Sequence, residues 1–337
     1  MDTLPVIDFS RFGMRAPASL SGGAVQPSQG NEFDGQFDRR AIADQVAQAC
    51  QSMGFFYLIG HGISPQKREA AFKESARFFQ LPADLKNALS WSSADSNLGY
   101  VGVGRESLNP GQTIDLKEAF NIGPDDDPGN PNRWPPELPT LLPTFRATLQ
   151  SFYQSANELA WQVLRALALA LQLPENFFVK HHQQPAHTLR LLHYPPYSPT
   201  SAQTPGVQPI RAGEHSDYGS ITLLFQDAQS GLQVKTPAGE WIAATPRADA
   251  VLVNLGDLMQ RWTNDRFRST PHRVVLPSDA AVSQSRYSIA LFCDPDPRTL
   301  VTAVTGTHAC QSSFQGKSQY EPIIAGEYLR SRLQATY

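Results

Sequence analysis

From about residue 186 the chain breaks into short apolar runs, "TLRLLHY", "SITLLFQ", "LQVKTPAGEWIAA", "AVLVNLGDLMQRWT", "HRVVL" and "RYSIALFCD", separated by Pro, Gly, Asn and Asp turns. Such runs, rich in β-branched and aromatic residues and punctuated by turn formers, read as strands. Many short strands at this spacing point to an all-β sandwich or jelly roll.

The N-terminal half has a different texture. "LPVIDFS" at 4–10 reads as a short buried strand, and "GFFYLIGHGI" at 54–63 as a β-rich run closed by glycines. Ile42, Val46, Ala49, Cys50 and Met53 recur at helical spacing and stop near Gly54. Glu69 to Phe79 forms a second helix, and an apolar stripe from Phe145 to Leu171 marks a long amphipathic third. Residues 11–36, rich in Gly, Ser, Pro, Ala and Gln, read as a flexible loop insert, and Leu98 to Pro143 as mostly loop with short strands. The final "GEYLRSRLQATY" reads as a helix. The expected fold is mixed, with a β core. Residues 1–185 form a helix-rich N-terminal region, 186–300 the β core, and 301–337 a C-terminal segment and helix.

Composition narrows the function. The 337 residues are 41% hydrophobic, enough for a large core, and the net charge of −3 comes with no basic run. That excludes the electrostatic footprint of a nucleic-acid or membrane-surface binder. "MDTLPVIDFS" carries no secretory signal, and "LRALALALQL" at 164–173 is too short to span a membrane. Cys50, Cys293 and Cys310 show no CxxC spacing, which suits a reducing cytosol. A cytoplasmic monomer with a small-molecule partner is expected.

"GEHSDYGSITLLFQ" at 213–226 carries the chemistry. His215 and Asp217 sit one residue apart, so on a strand they emerge from the same face. Buried there, they need either a structural hydrogen-bond partner or a metal. His272 in "STPHRVVL" supplies a distant third ligand. Two histidines and one carboxylate on one face of an octahedral ion suit iron(II) and leave positions open for reactants. Zinc could take the same ligands, so the ligand set does not choose the metal. "RYSIALF" puts Arg286 and Ser288 on one side of another strand. An inward Arg is costly without an anion, and its fork fits a carboxylate. The implied guest is a small dicarboxylate whose other end reaches the metal, a description that 2-oxoglutarate fits.

These motifs resemble the non-haem iron(II), 2-oxoglutarate-dependent oxygenases of the isopenicillin N synthase-like family. The resemblance rests on "HSD" at 215–217, "NLGDLMQRWTNDRFRSTPHRV" at 254–274 and "RYS" at 286–288, with "LPVIDFS", "GFFYLIGHGI" and "DLKEAFNIG" upstream. It covers nearly the whole chain. It implies a double-stranded β-helix (jelly-roll) core flanked by helices, with His215, Asp217 and His272 as iron ligands and Arg286 and Ser288 on the cosubstrate carboxylate. "LHYPP" at 192–196 implies that Tyr194 gives its hydroxyl to the cosubstrate. The implied reaction uses iron(II), 2-oxoglutarate and dioxygen, with ascorbate as a reductant. It releases succinate and carbon dioxide while a metabolite is hydroxylated, desaturated or cyclised. Leu192 stands where many plant members carry Asn, and Gly60 where the family has Asn in its N-H-G-I element. A 2-oxoglutarate-independent iron oxidase of the same fold and a metal-loaded jelly-roll binding module are the rival readings.

Arg190, Phe292, Ala290 and Phe120 are expected to line the substrate pocket, by strand direction and resemblance. Other candidates read as structural. His61 sits in a glycine turn, His181 and His182 cap the long helix or face solvent, and His193 points away from Tyr194. Cys293 reads as core, and Asp115, Lys117 and Glu118 as mutual ion-pair partners near the cleft. His187 and His308 have no ligand-like neighbours.

Overall fold

The structure, a computed structural model, describes residues 3–13, 29–91, 97–105, 115–125, 127–134, 138–183, 187–197, 210–276, 284–305 and 317–336. His308, Cys310 and residues 14–28 lie outside the described residues. The helices are α1 (Gln29–Ser52), α2 (Pro65–Phe79), α3 (Ala83–Asn87), α4 (Leu138–Leu141), α5 (Phe145–Ala170), α6 (Asp257–Trp262) and α7 (Ala325–Thr336). Helix α2 starts where Ser64 Oγ accepts the N–H of Lys67 and Pro65 opens the first turn. Helix α1 is followed by Gly54, which adopts φ +65°, and a Cβ there would stand 2.2 Å from the carbonyl oxygen of Arg268. Only glycine fits that turn. None of the described helices is long and apolar enough to cross a membrane.

The strands are β1 (Val6–Asp8), β2 (Phe55–Ile59), β3 (Gly99–Val101), β4 (Glu118–Ile122), β5 (Thr188–Tyr194), β6 (Ala212–His215) and β7 (Ile221–Gln226). They continue as β8 (Leu232–Lys235), β9 (Trp241–Ala243), β10 (Val251–Leu255), β11 (His272–Val274), β12 (Arg286–Cys293), β13 (Leu300–Val301) and β14 (Ile323–Ile324). A large sheet runs β1-β2-β10-β7-β12-β5-β4-β3, antiparallel except for the β1–β2 pair, and a small sheet runs β6-β11-β8-β9. β13 and β14 pair by themselves. The architecture is mixed, with a large, mostly antiparallel sheet.

Strand alternation divides the interior in two. One face of the large sheet, with Leu191, Leu223, Phe225 and Leu291, packs on α1, α2 and α5; the Phe152 and Phe225 rings lie 4.9 Å apart. The other face, with Leu192, Tyr194, Leu252 and Ala290, meets Ala212, Leu232, Val234 and Val274 of the small sheet. Each fully buried large apolar side chain contributes about 1.5–3 kcal/mol, so both faces hold the sheet in place. The second interior also carries the polar residues of interest.

One expectation is corrected here. Backbone from Gln29 onward is helical, so residues 29–36 belong to α1 and not to a loop insert. The apolar stripe that marks this helix begins at Ile42, and the Gly-, Ser- and Gln-rich composition before it favours a loop, although Phe33 and Phe37 keep an i,i+4 spacing.

Candidate active site

β11 lies antiparallel to β6 with His272 directly opposite His215, and the two ring centroids are 4.3 Å apart. Asp217 follows β6, where its carbonyl oxygen accepts the N–H of Asp257 at 2.8 Å, the residue that opens α6. The ligand-type atoms of His215, Asp217 and His272 all lie within 4.8 Å of one another.

Neighbours orient each of the three. Nδ1 of His215 bonds the carbonyl oxygen of Gly213 at 2.7 Å, and Nδ1 of His272 bonds that of Thr270 at 3.1 Å. A carbonyl only accepts, so both Nδ1 atoms carry a proton, and Nε2 is the ring nitrogen left to face a metal. Oδ2 of Asp217 accepts from the Thr222 hydroxyl and, at 2.6 Å, from the Asn254 amide, while Oδ1 faces His272 Nε2 at 3.7 Å. Burial, with His272 adding to it, holds His215 neutral well below the usual histidine range. Burial opposes ionisation of Asp217, but His272, His215 and the bonds from Thr222 and Asn254 outweigh it and hold the carboxyl below its usual range. A neutral His215 beside an ionised Asp217 suits a divalent cation, which binds deprotonated ligands.

Arg286 stands opposite Tyr194 on β5, only 1% exposed, with its guanidinium 4.8 Å from the centre of the Tyr194 ring. Its Nε donates to the Gln229 carbonyl at 3.2 Å, its Nη2 to Gln226 Oε1 at 2.9 Å, and its Nη1 reaches Ser288 Oγ at 3.5 Å. Arg286, Ser288 and Tyr194 line the same cavity of about 690 Å³ as His215, Asp217 and His272. One cavity therefore holds a divalent-metal donor set and a buried guanidinium.

Comparison with known proteins decides the family. The family described as "non-haem dioxygenase in morphine synthesis N-terminal" matches residues 4–140, and the "2OG-Fe(II) oxygenase superfamily" matches residues 185–295. The 2-oxoglutarate-dependent dioxygenase citB of Monascus ruber is 40% identical, over 76% of this chain and 79% of that protein. The proline hydroxylase buaE of Petromyces alliaceus is 36% identical, over 91% and 96%. The chain belongs to the 2OG-Fe(II) oxygenase superfamily. Among solved structures, a full-length Neurospora crassa protein in complex with alpha-KG superposes with a TM-score of 0.83, at 38% identity, covering 99% of this chain and 96% of that one. The same Neurospora crassa protein with alpha-KG and thymine gives 0.83 at 37% identity, covering 99% and 97%. The protein is thus an iron(II)- and 2-oxoglutarate-dependent dioxygenase that oxidises small molecules, with dioxygen as co-substrate. The donor set fits iron(II): two imidazole nitrogens and a carboxylate converge, and hydrogen bonds already fix both histidine tautomers.

Arg190, Ala290 and Phe292 line the same cavity. Phe120 is not there, which corrects the expectation. It faces the helical core, with its ring 4.4 Å from Phe78 and 5.9 Å from Phe145. Strand pairing puts Ala119 across from Leu192 and Asn121 across from Arg190, so the odd-numbered residues of β4 face the cavity side. Lys117 lines the cavity and pairs with the buried Asp115 at 2.6 Å, whereas Glu118 turns away to Lys86, Tyr100 and His193. The expected three-way pairing therefore splits across two faces. Asp294 also lines the cavity, and burial with the added charge of Asp217 pushes its pKa up to about 7. Leu329 and Leu333 of α7 line the cavity too, with the Arg332 guanidinium 4.7 Å from the Tyr218 ring centre and Tyr328 donating to Asp257 at 3.1 Å.

The remaining histidines follow their packing. His193 points away from the cavity, as expected, and bonds Glu118 and Ser285. His61 accepts from the N–H of Ile63 within its turn. His182 is a correction: it neither caps α5 nor meets solvent, but is 1% exposed between Phe178 O and Ser220 Oγ. His187 has neighbours after all, Asn157 Oδ1 at 2.7 Å and the buried Cys293 Sγ at 3.2 Å. Thr222, Asn254 and Gln226 escaped the sequence reading. Asn254 left a signal, a lone amide inside the apolar run "VLVNL".

Proposed function

We propose that His215, Asp217 and His272 hold iron(II), and that Arg286, Ser288 and Tyr194 hold the distal carboxylate of 2-oxoglutarate. The observation that carries this is the pair of imidazoles opposed across β6 and β11, each with Nδ1 already committed, in one cavity with a buried guanidinium. Bound iron(II) would supply dioxygen activation coupled to decarboxylation of 2-oxoglutarate to succinate and carbon dioxide. The chain supplies the rest. Thr222 and Asn254 keep Oδ1 of Asp217 turned toward His272. Gln226 holds the Arg286 fork in the sheet, ready for a carboxylate. The leucines of α7 keep water from the open side.

The two facing sheets are read as a double-stranded β-helix, the division as 1–185, 186–300 and 301–337, and the protein as a cytoplasmic monomer served by ascorbate. Arg190, Ala290 and Phe292 form the wall against which a small metabolite is oxidised. Succinate formation is the test. Iron(II), ascorbate and 2-oxoglutarate with a metabolite mixture should yield succinate and carbon dioxide. Oxidation of a substrate without any succinate would mean that Arg286 holds that substrate's own carboxylate, and the oxidase reading would replace this one.

A further inference from the structure

β12 runs the length of the cavity. Alternation puts Arg286, Ser288, Ala290 and Phe292 on its inner face, and the same parity carries Asp294 into the cavity just past the end of the strand. The backbone there is pinned: Ser220 N–H donates to the Cys293 carbonyl at 3.2 Å and Asp296 N–H to the His181 carbonyl at 2.7 Å. Gly219 makes the room. A Cβ at that position would stand 1.7 Å from Asp294 Oδ1, so no other residue allows the carboxyl this pose.

Three carboxyl groups of the described residues line the cavity: Asp127, Asp217 and Asp294. Asp127 accepts from the N–H of Gly129, and Asp217 from Thr222 and Asn254. Asp294, partly buried, has no hydrogen-bond or ion-pair partner among the described residues, although it faces the cavity near a second carboxylate. A ligand that fills the cavity strips water from this acceptor, at a cost unless the ligand brings a donor of its own. It lies beyond Phe292, at the opposite end of β12 from the cosubstrate residues.

We propose that Asp294 is a substrate-recognition residue: it takes an N–H or O–H donor of the substrate, so that substrates are small molecules bearing such a donor beyond a flat apolar part lying on Phe292. This rests on the oxygenase reading above, and the experiment separates the two. The protein is loaded anaerobically with iron(II) and 2-oxoglutarate, and the metal-to-ligand charge-transfer band is recorded. Absence of the band in wild type would overturn the cosubstrate assignment itself. With the band present, a fragment library of matched pairs is titrated, each N–H or O–H compound beside its N- or O-methylated counterpart, and displacement of the band is read as binding. Wild type should bind donor fragments roughly tenfold or more tighter than their methylated counterparts. Asp294→Asn and Asp294→Ala should lose that preference while the band itself persists. Equal binding of both members of the pairs, no fragment binding to wild type, or a preference that survives in Asp294→Ala would each overturn the proposal, leaving Asp294 as a carboxyl served by ordered water.

Discussion

His272 stands directly across from His215 in the β11–β6 pair, with the ring centres 4.3 Å apart and both Nδ1 atoms bonded to backbone carbonyls. A metal-binding edge is thereby built from two strands far apart in sequence, and its tautomers are set before any ion arrives.

Removing Asp217 or His272 should abolish iron-dependent turnover and leave a folded protein, because each is one of only three anchors. Asn254→Leu should be milder, lowering iron affinity about 10- to 100-fold by freeing the Asp217 carboxylate to rotate. Iron titration with circular dichroism as the folding control checks both; near-normal iron content in Asp217→Ala would refute the ligand assignment.

Arg286→Lys keeps the charge and loses the fork. Half-saturation for 2-oxoglutarate should rise by roughly ten- to hundredfold, corresponding to about 1.5–3 kcal/mol for one charge-assisted bond, and Arg286→Ala should lose more. Iron affinity should stay put in both. Unchanged half-saturation in the Ala variant would remove Arg286 from the cosubstrate site.

Stability should fall on the acid side for an identifiable reason. Burial pushes the pKa of His182 down to about 3 and that of His187 to about 4, from an ordinary 6.5. Below pH 6.5 the unfolded chain takes up protons that the folded protein refuses, so stability is full above that value and declines as pH drops toward 4 and 3. His182→Gln should be less stable at neutral pH, having lost a fitted partner of Phe178 and Ser220. Its melting temperature should depend less on pH between 6.5 and about 3. Parallel curves for the two proteins would contradict this.

Helix α7 meets the cavity through Leu329 and Leu333 and is fastened by Arg332 over Tyr218 and by Tyr328 on Asp257. Leu333→Asp should raise KM for the substrate and increase succinate release uncoupled from substrate oxidation, because water then enters. The half-saturation for 2-oxoglutarate should hold within a few-fold. If substrate KM and coupling are both unaltered, the helix has no part in sealing the site.

Much of the site was legible because it depends on period alone. H-x-D and R-x-S each put two side chains on one face of a strand, whatever the strand pairs with. The family motifs and the apolar stripe of α5 are equally local. What lies across from what is not local. Phe120 and its neighbours alternate as any strand does, but only the pairing of β4 with β5 decides that Ala119 and Asn121 take the cavity side and Phe120 the helical core. His182 looks like a solvent-facing residue after a helix until Trp262 stacks on it at 6.1 Å and Ser220 reaches its ring. Thr222 meets Asp217 five residues along the same segment, but Asn254 and Gln226 belong to strands that reach Asp217 and Arg286 only through sheet register. Residue type and local period were enough to say which side chains can bind a metal and an anion, since neither depends on distant partners. Which of them share a cavity, and how Gly219 leaves room for the Asp294 carboxyl, follows only from the folded chain, because register and close approach are set by segments far apart in sequence.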